Sequence, residues 1–225
     1  MKNITLKLSA FALGAATLSM AGAATVSTHA SGVRATAAAY FGQGAKPISL
    51  QTYDVTDGSS VFLALCVDPV TPMQRDSRGA YSNGGEFTLF KNNDTVARLY
   101  SNFYSGITGD TAAAKTDSLA FQLALWEVYS DDSNLTATTG QLYFDWSVNN
   151  PAGKAVLNRA AEMVSYAADT NNAIVTRYDF TKFESTGSQT IVNATVSAVP
   201  EPSTYAMLGL GMAVVGFAAR RRAKR

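Results

Sequence analysis

The chain has 225 residues, of which 47% are hydrophobic and only 16% charged, so it is long enough for one domain with a buried core. One histidine, His29, and one cysteine, Cys66, exclude a Ser-His-Asp triad, a Cys-His pair, a zinc cluster and an internal disulfide. Seven of the 18 basic residues lie at the two ends, which leaves 11 basic against 16 acidic residues in Ala24–Val199 and excludes a basic face for nucleic acid.

The N-terminus has the three parts of a secretory signal peptide. Two lysines lie in the first seven residues, Leu8–Met20 is an apolar run, and Ala21-Gly22-Ala23 has the small-x-small form that signal peptidase reads. We therefore expect residues 1–23 to be removed, with a cut after Ala30 as the alternative. An uncleaved membrane anchor is disfavoured because the apolar run is short. Either cut leaves His29 near the new end or removes it, so His29 is not expected to be a catalyst.

Strand-like patterns open the region 31–197, which we predict to fold as one extracellular domain. Ile48–Val55 alternates between apolar and polar residues, and Ser59–Val67 is an apolar run of strand length. Glu86–Lys91 alternates again and is predicted to be a further strand. Glycine-containing turns precede the second and third of these segments.

Three helices follow in the predicted order. Thr95–Tyr104 has the apolar spacing of one helical face. Asp110–Ser130, with Asp110 or Thr111 as N-cap, is apolar nearly all round and should be buried. Asn150-Pro151 opens the third helix, because proline is favoured at the first helical position.

Strand-like composition then returns near the C-terminal end of the domain. The two segments are Arg177–Phe183 and Thr190–Val196. Strands, then helices, then strands predict an α+β domain. The fold that we expect has a β-barrel-like or sandwich-like core with an inserted helical subdomain.

The last 27 residues, 199–225, have three parts in order. Pro200-Glu201-Pro202 comes first, Ser203–Ala219 follows without a charge, and Arg220-Arg221-Arg222 comes next. About 17 apolar residues is the lower limit for a helix that spans a bilayer, so Ser203–Ala219 is predicted to be a single transmembrane helix. The arginines should stay cytoplasmic, which places the preceding chain outside.

This tail resembles the PEP-CTERM sorting signal of Gram-negative bacteria. The resemblance implies export, transient anchoring in the inner membrane, and processing near Pro200-Glu201-Pro202 by an exosortase-type transpeptidase. Pro200 and Pro202 would be recognition residues, and two prolines keep such a site extended because they prevent a helix from continuing. The expected destination is the cell surface or the extracellular, biofilm-associated matrix.

Cys66 is an unpaired cysteine in a chain that is expected to leave the cytoplasm. Such a thiol indicates an intermolecular disulfide, a reactive thiol or a thiol masked by other chemistry. The alternative is a small hydrophobic residue buried inside a strand. Gln122 and Trp126 share one helix face, and a glutamine there either needs hydrogen-bond partners or lies at the edge of the core. The residues alone leave these alternatives open.

Together these residues resemble the thioester domains of bacterial surface adhesins. Leu65-Cys66-Val67 is similar to the cysteine motif of the family, and Gln122–Trp126 to its Gln-x-x-apolar-Trp helix. Many members have Thr before the motif Gln, where this chain has Phe121. The resemblance spans about 62–191 and implies that Cys66 and a glutamine side chain lose ammonia and form an internal thioester.

The resemblance also implies which glutamine is involved. Gln189, before the last strand-like segment, stands at the family's place for the partner and is the first choice; Gln122 is the second. On this reading Gln122 and Trp126 support the site by shaping it and hydrogen-bonding within it. A docked amine would displace the thiol once, so the protein is not expected to be an enzyme, and no catalytic residue, metal or other cofactor is expected.

Two other functions remain from the sequence. The first is a structural or carbohydrate-binding matrix protein with the same sorting tail and an ordinary buried Cys66. The second is a secreted hydrolase that uses acidic residues alone, disfavoured because no paired carboxylates stand out. The expected partners are signal peptidase, the exosortase-type enzyme, the membrane, and a surface amine or polysaccharide.

Overall fold

The computed structural model describes residues 23–40, 42, 44, 46–74, 81–130, 142–145, 151–198, 210–213 and 220. The predicted signal peptide, apart from its last residue, lies outside these ranges, as does most of the C-terminal tail. Seven strands are described: β1 (Thr25–Tyr40), β2 (Lys46–Asp57), β3 (Ser60–Cys66), β4 (Ser82–Glu86), β5 (Leu142–Asp145), β6 (Tyr178–Glu184) and β7 (Ile191–Val196). Four helices are described: α1 (Thr88–Lys91), α2 (Asp94–Ile107), α3 (Ala112–Ser130) and α4 (Pro151–Ala168).

The described strands form one antiparallel sheet in the order β4-β6-β7-β3-β2-β1-β5. The predicted α+β class is therefore confirmed. The predicted barrel-like or sandwich-like core is wrong, because the sheet is open, with β4 and β5 at its edges. The apolar strand residues that a second sheet would bury are packed instead in one core with α2, α3 and α4.

The three long helices begin where the sequence predicts. Asn93 caps α2 by accepting hydrogen bonds from the amides of Thr95 and Val96, and Thr111 caps α3 by accepting from the Ala114 amide at 3.1 Å. Every residue of α3 from 118 to 128 is buried, as its all-round apolar pattern predicts. This helix lies in the core and carries Gln122 and Trp126 to the sheet.

The predicted strand Glu86–Lys91 is wrong, because β4 ends at Glu86 and α1 follows. Phe87 and Phe90 pack edge to face, with ring centroids 4.8 Å apart. Residues three apart point to opposite faces of a strand but to the same side of a helical turn. The turn places Phe90, which is fully buried, against Tyr129 and Phe180 at 4.8 and 5.3 Å.

Strand β1 has no counterpart among the predicted elements. Its sequence is rich in Ala, Thr and Ser and breaks its alternation where the register with β2 shifts between Ala30 and Val33. Gly32, at φ 106°, lies in that shift, a backbone conformation that favours glycine. The strand starts at Thr25, two residues after the predicted cleavage site at Ala23. Ala24, just before it, already donates its backbone N–H to the Tyr81 carbonyl at 2.7 Å.

The predicted transmembrane helix Ser203–Ala219 lies almost entirely outside the described residues, which include only 210–213 of it. Among the residues that are described, no helix is long and apolar enough to span a membrane.

Candidate functional site

Cys66 is the last residue of β3 and is 1% exposed. On one side β3 pairs with β7, where Cys66 stands opposite Ile191 and the Val67 amide donates to the Thr190 carbonyl at 3.2 Å. On the other side the pairing with β2 ends at Ala64, opposite Tyr53. The backbone of Cys66 therefore needs hydrogen-bond partners from outside the sheet.

Gln122 supplies those partners from α3. Its Oε1 accepts from the Cys66 backbone N–H at 2.8 Å, and its Nε2 donates to the Cys66 carbonyl at 2.9 Å. One side-chain amide thus takes the place of a neighbouring strand for one residue. This pairing satisfies both ends of an amide with no exposed surface, and it contradicts the alternative of a glutamine at the edge of the core.

Trp126 adds a second hydrogen bond to the same carbonyl. Its indole Nε1 donates to the Cys66 oxygen at 3.0 Å. Because Trp126 lies one turn after Gln122, both side chains reach the end of β3 from one helix face. The position of Cys66 is therefore fixed by α3 on one side and by β7 on the other.

Gln189 lies two residues before β7 and is 7% exposed. Its side-chain amide lies beside the Cys66 thiol, close enough to influence the pKa of that thiol. This contact follows from the β3–β7 register, which places the start of β7 beside the end of β3. The structure thus brings together the thiol and the first-choice glutamine, while the second choice, Gln122, contacts the backbone of Cys66.

The orientation of the Gln189 amide is fixed by two backbone carbonyls. With its nitrogen toward them, the amide donates to the oxygens of Asp68 and Thr71, each at 3.2 Å, and its oxygen faces donors. The opposite orientation would set three oxygens against one another with no proton between them. The loop that follows β3 therefore holds the nitrogen of Gln189.

That loop is shaped by the Asp68 carboxylate. Its Oδ1 accepts from the amides of Val70 and Thr71, at 2.9 and 3.2 Å. This is the local turn that Asp favours, and Pro69 has the fixed φ that suits its second position. The turn directs the carbonyls of Asp68 and Thr71 to the same nitrogen.

The Tyr81 hydroxyl joins the two loops behind Gln189. It donates to the Gln189 backbone carbonyl at 2.8 Å and lies 2.8 Å from the Ser188 hydroxyl and 3.0 Å from the Met73 sulfur. The Ser188 hydroxyl also accepts from the Gln74 amide at 3.0 Å. The sequence marks Tyr81 only as an aromatic residue of the core or of a sugar-binding surface, and it gives no signal for these hydrogen bonds because their partners are distant in the chain.

Burial raises the pKa of the Cys66 thiol far above its usual value, and the nearby Asp68 carboxylate raises it further. The thiol is therefore neutral at physiological pH. Within the described ranges, no three His, Cys, Asp or Glu side chains group as metal ligands. His29, in β1, donates a hydrogen bond from its Nδ1 to the Asp54 carboxylate at 3.0 Å.

Two cavities of the described residues lie away from Cys66. A cavity of about 270 Å³ is lined by Phe90, Tyr100, Tyr178 and Phe180 among others, at the end of β6 far from its pairing with Ile191. The site around Cys66 is a packed contact rather than an open pocket, and its chemistry depends on residues that already touch.

Residues 198–222 match the PEP-CTERM protein-sorting motif. The match includes Pro200, Glu201, Pro202 and the arginines 220–222, so the sorting-signal resemblance is confirmed. The motif implies an exported protein that is processed by an exosortase-type system.

The described fold is similar to domains of two solved proteins from Streptococcus pyogenes. The N-terminal domain of the Streptococcus pyogenes pilus tip adhesin Cpa matches with a TM-score of 0.44 and 13% identity, over 66% of this chain and 84% of that one. The N-terminal thioester domain of the fibronectin-binding protein SfbI from Streptococcus pyogenes matches with a TM-score of 0.45 and 14% identity, over 81% and 97%. No curated protein matches the sequence significantly.

Proposed function

We propose that this chain is an exported surface protein whose domain closes a thioester between Cys66 and Gln189 and uses it to attach covalently to an amine. The observation that carries the proposal is the placement of the Gln189 side-chain amide beside the buried Cys66 thiol, at the point where the start of β7 meets the end of β3. The sorting motif supports a location outside the cytoplasm, where an attachment to other surfaces has a use.

The bond forms by acyl transfer. The Cys66 sulfur attacks the side-chain carbonyl carbon of Gln189, the bond from that carbon to nitrogen breaks, and the thiol proton leaves with the nitrogen as ammonia. Proximity and orientation supply the rate, since no imidazole is at the site and His29 is held by Asp54. No oxidant or reductant is needed.

Burial supports the same proposal. An environment that raises the pKa of the thiol disfavours a thiolate, but it does not penalise a neutral thioester. It also disfavours the thiolate that hydrolysis would release, and it keeps water from the acyl carbon. The bond would persist until an amine docks at the site.

Gln189 is favoured over Gln122 as the glutamine that forms the thioester, because the two side-chain amides make different hydrogen bonds. Both ends of the Gln122 amide are bonded to the backbone of Cys66, so acyl transfer at Gln122 would break the contacts that hold the nucleophile. Gln189 is bonded through its nitrogen to two carbonyls, and that nitrogen is the atom that leaves. The reaction consumes the protein, so we propose that it is not an enzyme.

The intact mass of the exported protein tests this function. We expect it to be about 17 Da below the mass of the sequence between its measured termini, because one ammonia is lost. Cys66→Ala and Gln189→Leu should show the full mass of their sequences. Gln51→Leu, at a half-buried glutamine whose Oε1 accepts from the Tyr53 hydroxyl at 3.1 Å, should keep the deficit. Full mass in the native protein would contradict the proposal.

A non-covalent matrix protein is the second candidate. It is favoured by the burial of Cys66, because a neutral thiol in an apolar core is inert. In that case native protein has full mass, and Cys66 alkylates only after unfolding. For either function, we propose that Ser203–Ala219 holds the chain in the inner membrane until processing.

A further inference from the structure

We propose that the backbone carbonyls of Asp68 and Thr71 form a nitrogen site that receives both the departing ammonia and the incoming amine. This inference rests on the proposed thioester. It assigns a role to the turn after β3, and it predicts a preference for primary over secondary amines.

The side-chain nitrogen of Gln189 already lies between the two carbonyls. It donates to both carbonyls at 3.2 Å, within the usual range for N–H···O bonds. When the Cys66 sulfur bonds to the amide carbon, this nitrogen gains the thiol proton and leaves as ammonia. It leaves from a position where two acceptors already hold two of its hydrogens.

Opening of the thioester by an amine is the reverse of its formation. An amine that opens the thioester bonds to the same carbon, the carbon–sulfur bond breaks, and a proton passes from nitrogen to the Cys66 sulfur. The attacking nitrogen then occupies the position that ammonia vacated. A primary amine brings two N–H groups, one for each carbonyl, whereas a secondary amine brings one and a hydroxyl brings one.

An amine with only one N–H group leaves one of the two carbonyls without a hydrogen-bond donor. A buried carbonyl that loses its donor is unfavourable, and sites built for an N–H reject ligands that lack it. We expect a discrimination of roughly tenfold or more for one missing hydrogen bond. Gln189 is 7% exposed and Cys66 1%, so solvent has little room to replace that bond.

Asp68 acts as a positioning residue. Its carboxylate accepts from the amides of Val70 and Thr71 and so fixes the turn that carries both carbonyls. Asn retains an oxygen at the same place and can keep the turn without the charge, whereas Ala cannot. The Asn and Ala variants therefore separate geometry from electrostatics.

The test compares ethylamine with dimethylamine, which have the same atoms and nearly the same size. Ethylamine has two N–H groups, whereas dimethylamine has one. Their rates of opening the thioester are measured by intact mass on the exported protein and on a free alkyl thioester. The ratio of ethylamine to dimethylamine rates should be roughly tenfold or more higher in the protein. Asp68→Asn should keep that excess, and Asp68→Ala should reduce it toward the ratio of the free thioester.

The matched control is Asp169→Ala. Asp169 makes a similar turn, accepting from the Asn171 amide at 2.9 Å, in the exposed segment after α4, and its loss should leave the ratio unchanged. A native protein that has the mass deficit but the ratio of the free thioester overturns the nitrogen site alone. A native protein without the deficit overturns both the site and the proposed function. If Asp68→Ala does not fold, the ratio of ethylamine to dimethylamine rates in the native protein and in Asp68→Asn still tests the nitrogen site.

Discussion

The side chain of Gln122 pairs with the backbone of Cys66 as a β-strand would, accepting from its N–H at 2.8 Å and donating to its C=O at 2.9 Å. The pairing begins where β2 stops following β3. It fixes the backbone of the cysteine, while the side-chain amide of Gln189 lies beside the thiol. In the proposed function, Gln122 holds the nucleophile and Gln189 presents the electrophile.

Gln122→Leu should therefore destabilise the domain without removing the proposed acyl donor, Gln189. The buried N–H of Cys66 loses its partner, while its carbonyl keeps Trp126. We expect the free energy of unfolding to fall by about 2–3 kcal/mol, measured by urea denaturation. Gln51→Leu, the matched control, should change it little. Thioester should form more slowly but still form, and permanent loss of the mass deficit in a folded Gln122→Leu protein would identify Gln122 as the acyl donor instead.

Tyr81→Phe should slow closure of the thioester in a folded protein. The hydroxyl donates to the Gln189 carbonyl and contacts Ser188, so its loss frees the segment that presents Gln189. We expect a time course of the mass deficit that is several-fold slower after refolding. Tyr166→Phe, whose ring packs against Phe103 at 5.3 Å, is the control. Equal time courses for the two variants would show that Tyr81 does not position Gln189.

The first residue of the exported protein should be Ala24. Ala24 is 1% exposed and is bonded to Tyr81, and a cut after Ala30 would remove the first part of β1, including the contact of His29 with Asp54. N-terminal sequencing measures this directly. A protein that begins at Ser31 would contradict the placement of β1 in the mature fold.

Alkaline pH should destabilise the domain through Tyr104. Burial raises the pKa of Tyr104 to about 12 from 10.0. The neutral hydroxyl donates to the Leu63 carbonyl at 3.0 Å inside the core. A raised pKa means that its contribution is fully present below pH 10 and is lost as pH rises toward 12. The loss should approach about 1.4 kcal/mol per pH unit.

The variant Tyr104→Phe isolates this effect. Both proteins should carry Cys66→Ala, so that no thiol titrates and no acyl chemistry intervenes. The phenylalanine variant should be less stable at pH 8, by about 1 kcal/mol for one buried hydrogen bond, and should lose less stability between pH 10 and 12. Parallel curves of unfolding free energy against pH would rule out Tyr104 as the source.

The sequence predicts the parts of this fold that local physics determines. Helices α2, α3 and α4 have apolar spacing and capping residues, and the buried run before Cys66 has the length of a strand. Strand β1 escapes prediction because Ala, Thr and Ser carry little pattern and the register shift at Gly32 breaks what there is. Helix α1 escapes because its four residues are held by the packing of Phe90 rather than by propensity.

The candidate site is predictable only in part for a related reason. A lone exported cysteine and a buried glutamine are visible in the sequence, and resemblance suggested Gln189 as the partner. The carbonyls of Asp68 and Thr71 and the hydroxyl of Tyr81 carry no such signal. Their roles arise when loops more than 100 residues apart in the chain meet beside β7, as Tyr81 and Gln189 do.

The residue that incorporates methylamine tests most directly the central claim, that Cys66 and Gln189 form a thioester. Native exported protein is treated with methylamine, and the peptides are sequenced by mass spectrometry. Residue 189 should carry an N-methylated amide, about 14 Da heavier than glutamine, Cys66 should become alkylatable after unfolding, and Cys66→Ala should take up no methylamine. Methylation at Gln122, or at no glutamine, would contradict a thioester between Cys66 and Gln189.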